Sequence, residues 1–571
     1  MRSRLLLLTF AAIRSGVALA LGFHPFDDTF ITFRYARNLA LGYGFVFNHG
    51  ERVLGTTTPL WTLVLAACRA AGVPIPAAAL ALALLADVVS AFLLLRMLLR
   101  LGFPTRVALG AAMLFLILFD YLTIARSGME TSLFVVLVLL ALSSAVGERP
   151  AVAWFAAGLA CLARPEGLAL LPVLLLAGLA RWREREARRG TFLGLAVFAV
   201  VLGAWALFAS RYFGSFVPQS IVAKASHVAH DPGLARFSWM NLALFLAVGQ
   251  YGGGIFERTW LQLNVLLTAL SAVAVFRLGL DAVRNREVLA LPRLAALAVF
   301  PLGFTAGLAA SHAFTWFPWY YGPIYPFAAL LATVGLDELA GVIGRRRLVP
   351  AGVALLAAAQ IAAALAVKLP RDRDFMVAGY LESAAAIPRR PDSLVAALEI
   401  GAVGWQVWPL PVLDLLGLVS PEAIGRAPEE MLRSARPHYL CLRTADAAPL
   451  LERVARADWF TASYGLHASV PDPSGGRVFV VYRRRGSPRP SGTPHRHTPG
   501  PCWPAEPPGP RRGGGGSGSP RAGIPSAPAA PAGRSSSAAS RRPRRRTTGR
   551  RTRRARRSSA RSPPRVPRAR G

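Results

Sequence analysis

Apolar runs of about the length needed to cross a bilayer recur along this chain, and in hydrocarbon such a run satisfies its backbone hydrogen bonds only as a helix. They fall near residues 5 to 23, 76 to 98, 107 to 124, 131 to 146, 150 to 162, 168 to 180, 191 to 210, 258 to 279, 294 to 310, 322 to 341 and 348 to 368. With 53% hydrophobic residues and a mean hydropathy of +0.41 over 571 residues, the chain reads as a polytopic α-helical membrane protein. No A-x-A-like cleavage site follows the first run, which is therefore expected to remain as an anchor.

One further stretch, residues 57 to 72, is apolar but short for a span, and charge must decide its place. If it crosses, the clusters Arg96/Arg100/Arg106, residues 181 to 189, Arg284/Arg286/Arg293 and Arg345 to Arg347 all lie outside. If it lies at the interface, they join Arg2 and Arg4 in the cytoplasm. The second arrangement obeys the positive-inside rule and predicts eleven spans with the N-terminus inside. Residues 24 to 75, 125 to 130, 163 to 167, 211 to 257 and 311 to 321 then share one outer face.

The net charge of +35 is unevenly placed. From Gly486 onward there are 21 arginines against a single acid, Glu506, which leaves +15 on the rest. That stretch, 486 to 571, is rich in Arg, Pro, Gly and Ser and poor in apolar residues, and it reads as a disordered tail. Because it is expected outside the membrane, no nucleic-acid partner is inferred. The four cysteines, Cys68, Cys161, Cys441 and Cys502, show neither metal-ligand spacing nor a disulfide framework.

After residue 368 the composition becomes that of a soluble domain. Residues 393 to 400, 411 to 415, 438 to 443 and 476 to 484 read as strands, with helices near 427 to 435 and 446 to 456. The division expected is a transmembrane domain over 1 to 368, a small extracytoplasmic α/β domain with its own core over 369 to 485, and the tail.

The first long polar interval, HPFDDTFITFRYARNLALGYGFVFNHGERVLGTTTPLW (24 to 61), opens on two carboxylates at the end of the first apolar run. An ionised pair at that depth is costly unless used or paired. Together with SGMETSLF (127 to 134), ARPEG (163 to 167), VPQSIVAK (217 to 224), WYYGPIYP (319 to 326) and VLDLLGLVSP (412 to 421), this interval resembles the bacterial membrane glycosyltransferases of the GT-C superfamily. It is most similar to the branch of the mycobacterial terminal arabinofuranosyltransferases. The resemblance covers roughly residues 5 to 485. It implies a plasma-membrane enzyme that moves a sugar, such as arabinofuranose or mannose, from a polyprenyl-phosphate donor to an extracytoplasmic cell-envelope glycan, with inversion.

Such a transfer needs a base for the acceptor hydroxyl and cations for the departing phosphate. Asp27 and Asp28 are the candidate bases, Asp28 preferred, with one of them free to cap the helix that begins near Thr29. Asp27, Arg34 and Asn38 share a helical face, so Arg34, like Arg37, either pairs with the aspartates or meets the phosphate. Glu130 is either a ligand of acceptor or metal, as the resemblance implies, or a charge placed at a helix start. Arg164, beside Pro165 at another helix start, and Lys224, one of only two lysines, complete the phosphate set. Paired carboxylates also suit a divalent cation such as Mg, Mn or Ca, which Asp27, Asp28 and Glu130 would hold. Trp316, Trp319, Tyr320 and Tyr321 form an interfacial belt or stack on sugar or lipid. Glu399 and Asp414 stand at strand ends, as turn-forming groups or as borders of an acceptor groove.

Two rivals come from other classes. A lipid-linked-sugar flippase would place ionisable residues at mid-membrane and show internal repeats, and neither is read in this sequence. A catalytically silent assembly factor would tolerate loss of both aspartates.

Overall fold

The computed structural model describes residues 2–230, 258–284, 295–310, 317–363, 375–444, 447–471 and 478–486. Trp316, residues 231 to 257 and the tail beyond residue 486 lie outside the described residues. The helices relevant to the site are α1 (Arg2–Leu21), α2 (Asp27–Ala40), α3 (Pro59–Ala70), α4 (Ile75–Arg100), α5 (Thr105–Ile117), α6 (Phe119–Arg126), α7 (Thr131–Val146), α8 (Pro150–Ala163), α9 (Leu170–Ala180), α10 (Arg185–Phe213) and α11 (Gln219–His230). Helix α4 packs against α5 and α7, α7 against α8, and α8 against α10.

Among the described residues three helical stretches are long and apolar enough to cross a membrane: Ile75–Arg100, Arg185–Phe213 and Trp319–Val342. A fourth is added if α5 and α6, bent by 56°, count as one. Other apolar helices, such as Thr131–Val146 and Pro150–Ala163, are shorter. The expected eleven are not reproduced by helix length, because runs that look continuous in sequence are broken. The run near 107 to 124 turns at Leu118, whose extended ψ of 115° ends α5. Helix α3 has 12 residues, or roughly 18 Å at 1.5 Å per residue, too little to span hydrocarbon; it packs beside α2 and α4.

The absence of mid-span charge is corrected by the structure. Arg14, within α1, and Asp87, midway along α4, form an ion pair that is almost fully buried. Arg14 also donates to Leu116 O at 2.9 Å, and Tyr121 Oη donates to Asp87 at 2.7 Å. Each lone charge is hidden in a long apolar window, and only their meeting across helices makes them tolerable. The pair lies outside the pocket described below.

The C-terminal part is a five-stranded sheet of order β2-β1-β3-β5-β4, with β1 (Val395–Ala397), β2 (Val412–Asp414), β3 (Tyr439–Arg443), β4 (Tyr464–Pro471) and β5 (Val478–Arg484). Strands β2, β1 and β3 are parallel, and β5 and β4 complete the sheet antiparallel. Side chains alternate between two cores, as the pleat requires. Ala396, Leu413, Leu440, Leu442 and Val480 face the short helices Pro428–Ala435 and Ala448–Ala455. Val395, Ala397, Val412, Cys441 and Val481 instead join Phe30, Phe33, Trp61 and Leu65 of α2 and α3, together with Trp405. The independent core expected for this domain is therefore half shared with the N-terminal helices. Everything described up to residue 486 belongs to one compact unit.

Candidate active site

The seam between α2 and the sheet uses several of the residues marked in the sequence. Asp27 is buried, and its two carboxylate oxygens accept the backbone N–H groups of Gly401 and Ala402 at 2.8 Å each. It thus caps the helix Gly401–Val407, satisfying N–H groups that a helix start leaves open. The cap anticipated for the helix near Thr29 is not made: α2 begins at Asp27 with no side-chain cap, and Asp27 serves instead a helix more than 350 positions away in sequence. Only glycine fits there, since a Cβ on residue 401 would fall 1.8 Å from Asp27 O.

Arg34 corrects a second expectation. Its guanidinium donates to Phe47 O, Gly404 O, Asn48 Oδ1 and Leu410 O at 2.5 to 3.2 Å, fully enclosed. Burial, with Arg37 nearby, brings its pKa down to about 9. Its donors tie α2 to the sheet, and it does not line the pocket. Asn38 continues the seam, donating to Val46 O and Phe47 O and accepting from Trp408 Nε1, each at 2.9 Å. Asn48 accepts from Val412 N and donates to Val412 O, both at 2.9 Å, so one side-chain amide pairs with the free edge of β2 as a strand would. Arg37 lies over the Trp408 ring, 3.8 Å from its centroid.

Asp28, next to Asp27, turns the other way. It is half-buried and lines a cavity of about 520 Å³ with Ile31, Thr32, Gly55 to Thr58, Met129, Glu130, Arg164 to Glu166, Ser220, Ile221, Lys224, Ala225, Trp319, Tyr320 and Leu418. Seven separate stretches of chain meet here. Gly55 lets two of them close up: a Cβ there would lie 2.5 Å from Val419 Cγ1 and 2.9 Å from Leu418 O.

Arg164 stands at the corner between α8 and the 3₁₀ turn Pro165–Ala169. Its Nη1 donates to Glu130 Oε1 at 2.9 Å, its Nη2 to Glu166 Oε1 at 2.9 Å, and its Nε to Glu166 Oε2 at 3.4 Å. The two acids respond differently. Burial pushes Glu130 above the usual carboxylate range although Arg164 opposes it. For Glu166 burial acts the same way, but the two-pronged bond to Arg164 prevails and the net shift is downward. Glu130 occupies the residue before α7 without capping it by its side chain, so the fork is its main commitment.

Lys224, on α11, is half-buried, hydrogen-bonded to Tyr320 and within electrostatic reach of Asp28. Burial works against its charge, but those neighbours outweigh it and its pKa is raised. Asp28 likewise acts on Glu130. Trp319 and Tyr320 line the cavity, with Trp319 stacked on Phe317 at 4.4 Å. Tyr321 departs from the expected stacking role: it is fully enclosed in the helical core, away from the cavity. Asp414 is a turn-former, accepting from Leu416 N and Val419 N at 2.8 Å and so shaping the loop that brings Leu418 to the cavity.

Compared with known proteins, residues 371–482 match a family described as Domain of unknown function (DUF8728). Over 226 residues the chain is 34% identical to the terminal beta-(1->2)-arabinofuranosyltransferase of Mycobacterium tuberculosis (strain ATCC 25618 / H37Rv), across 35% of this chain and 34% of that protein. The chain thus matches about a third of the length of this curated relative. In three dimensions it is similar to the oligosaccharyltransferase of Archaeoglobus fulgidus. The TM-score is 0.52 to its apo form, at 13% identity, and 0.51 to its complex with an inhibitory peptide and a dolichol-phosphate, at 12% identity. Both alignments cover 83% of this chain and 74% of the other. The chain shares the fold of that oligosaccharyltransferase.

Within this fold the expected divalent-cation site does not fit the donors present. Asp27 is spent on the Gly401 helix, and Glu130 and Glu166 share a guanidinium where they would have to share a metal. Among the described residues no group of three or more His, Cys, Asp or Glu is placed to hold a metal ion. Sequence reasoning missed Glu166 and the hydroxyls of Thr32, Thr56, Thr57 and Thr58. The signal was available, because Thr32 follows Asp28 by four residues on one helix and the threonine run directly precedes Pro59.

Proposed function

We propose that this protein is an integral membrane glycosyltransferase of the bacterial plasma membrane, transferring a sugar from a polyprenyl-phosphate donor to an extracytoplasmic cell-envelope glycan. The observation that carries the reading is the meeting of Asp28, Glu130, Arg164 and Lys224 at one cavity with apolar walls. The sequence likeness to an arabinofuranosyltransferase favours arabinofuranose over mannose as the sugar.

In this reading Asp28 takes the proton of the acceptor hydroxyl, whose oxygen attacks the anomeric carbon. The bond from that carbon to the phosphate oxygen breaks, and its electron pair leaves with the polyprenyl phosphate. Inversion follows from a single displacement. Lys224 receives the growing negative charge, since Asp28 and Tyr320 beside it favour its ammonium form. Arg164, held by two acids, fixes the shape of the cavity and adds less net positive charge.

The test is transfer by the purified full chain in lipid nanodiscs, supplied with a panel of polyprenyl-phosphate sugars and oligosaccharide acceptors. Transfer by wild type, lost in Asp28→Asn and in Lys224→Gln, supports the proposal. Undiminished transfer in Asp28→Asn removes the assigned base, and no transfer by wild type with any donor removes the function.

A further inference from the structure

The cavity has a neutral side as well as a charged one. Thr32 on α2 and Thr56, Thr57 and Thr58 before α3 all line it, and Thr32, Thr56 and Thr58 are buried. Thr58 Oγ1 lies 3.3 Å from Thr32 Oγ1 and 3.1 Å from Thr56 Oγ1, which also accepts from Thr58 N at 3.2 Å.

Two features mark this row as more than local packing. Thr58 is the residue at the N-cap of α3, where a threonine hydroxyl ordinarily accepts a backbone N–H from the first turn. It makes no such bond and is directed to the other two hydroxyls. Moreover, three hydroxyls bring three protons, and their two mutual contacts use two. One O–H and several lone pairs are left for something in the cavity, in surroundings where leaving them unmet is costly.

We propose that Thr32, Thr56 and Thr58 form the subsite that reads the hydroxyls of the acceptor's terminal sugar. An uncharged row that both donates and accepts suits a sugar and offers a phosphate no charge to balance its own. Thr32 lies one helical turn from Asp28 on the same face, so a sugar that presents one hydroxyl to Asp28 sets its neighbours along the row. The subsite rests on the transferase reading for its role, but its binding can be measured without turnover.

The experiment titrates the full chain in nanodiscs with synthetic arabinofuranosyl and mannosyl oligosaccharides and, separately, with undecaprenyl phosphate. Thr32→Val, Thr58→Val and the double variant keep the shape and delete the hydroxyls. The expected result is an oligosaccharide affinity weakened about tenfold per hydroxyl, with undecaprenyl phosphate binding unchanged and with Thr58→Ser restoring wild-type affinity. Where transfer is measurable, the acceptor KM rises and the donor KM stays. Oligosaccharide affinity unmoved by the double variant overturns the proposal, as does a parallel loss of undecaprenyl phosphate binding, or a wild type that binds no oligosaccharide. Sensitive oligosaccharide binding in a chain that transfers no sugar would uphold the subsite while removing the transferase reading.

Discussion

Asp27 and Asp28 are adjacent in the chain and work in opposite directions: the first is locked onto the N–H groups of Gly401 and Ala402, and the second opens into the cavity. Their substitutions should separate accordingly. Asp28→Asn is expected to lower transfer by about 10²- to 10⁴-fold, the range of general-base catalysis, with an unchanged melting temperature. Asp27→Ala orphans two buried donors and should cost about 3 kcal/mol of stability, visible as a lower melting temperature whether or not substrate is present. Equal effects of both on stability would contradict the division of roles.

Arg34→Met should act as a structural lesion. Four carbonyl or amide oxygens each lose a donor at once, so the expected outcome is faster proteolysis within residues 375 to 486. A variant that resists protease but binds undecaprenyl phosphate less well would return Arg34 to the phosphate.

Lys224→Arg and Lys224→Gln test the charge itself. The arginine variant should keep part of the activity and the glutamine variant should lose at least about tenfold in kcat/KM, because only the first retains a cation for the leaving phosphate. Equal activities in the two would show that charge at this position is unimportant.

Asp414 predicts a pH effect on stability. Burial raises its carboxyl to about 6 from an ordinary 3.8, so between those values the folded state holds a proton that the unfolded chain releases. Stability is then greatest below about 3.8, declines as pH rises toward 6, and stays level above. Asp414→Asn should flatten that part of the profile in chemical denaturation, and an unaltered profile would assign the slope to another group.

A reporter fused after Gly72 is expected to report the extracytoplasmic side, since the 12 residues of α3 are too few to cross. A cytoplasmic signal would require a twelfth span and invert every later loop.

Much of this was legible in the sequence, though unevenly. Helix-length apolar runs and the strands near residues 395, 412, 439 and 478 stood out because periodicity is a local property. Strand β4 escaped because its Tyr464, Leu466, Ala468 and Val470 alternate beside Gly465 and Pro471, and a register shift between Leu466 and Ala468 leaves Leu466 exposed. The gathering of Asp28, Glu130, Arg164 and Lys224 could be anticipated, since each follows or precedes an apolar run on the same expected face. The fates of Asp27, Arg34 and Asn38 could not, because their partners lie more than 350 positions away or are backbone atoms without a sequence signature. Resemblance marks a residue as important without saying whether it touches substrate or holds the frame.

The clasp of Asn48 on Val412 bears on how this protein can be taken apart. A fragment cut to residues 371–482 would look complete by sequence, yet it would carry a strand whose outer rim has lost the Asn48 amide and a helix start stripped of its acid. Excised, that rim becomes a template for the next copy, so the piece should stick to itself where the whole chain does not.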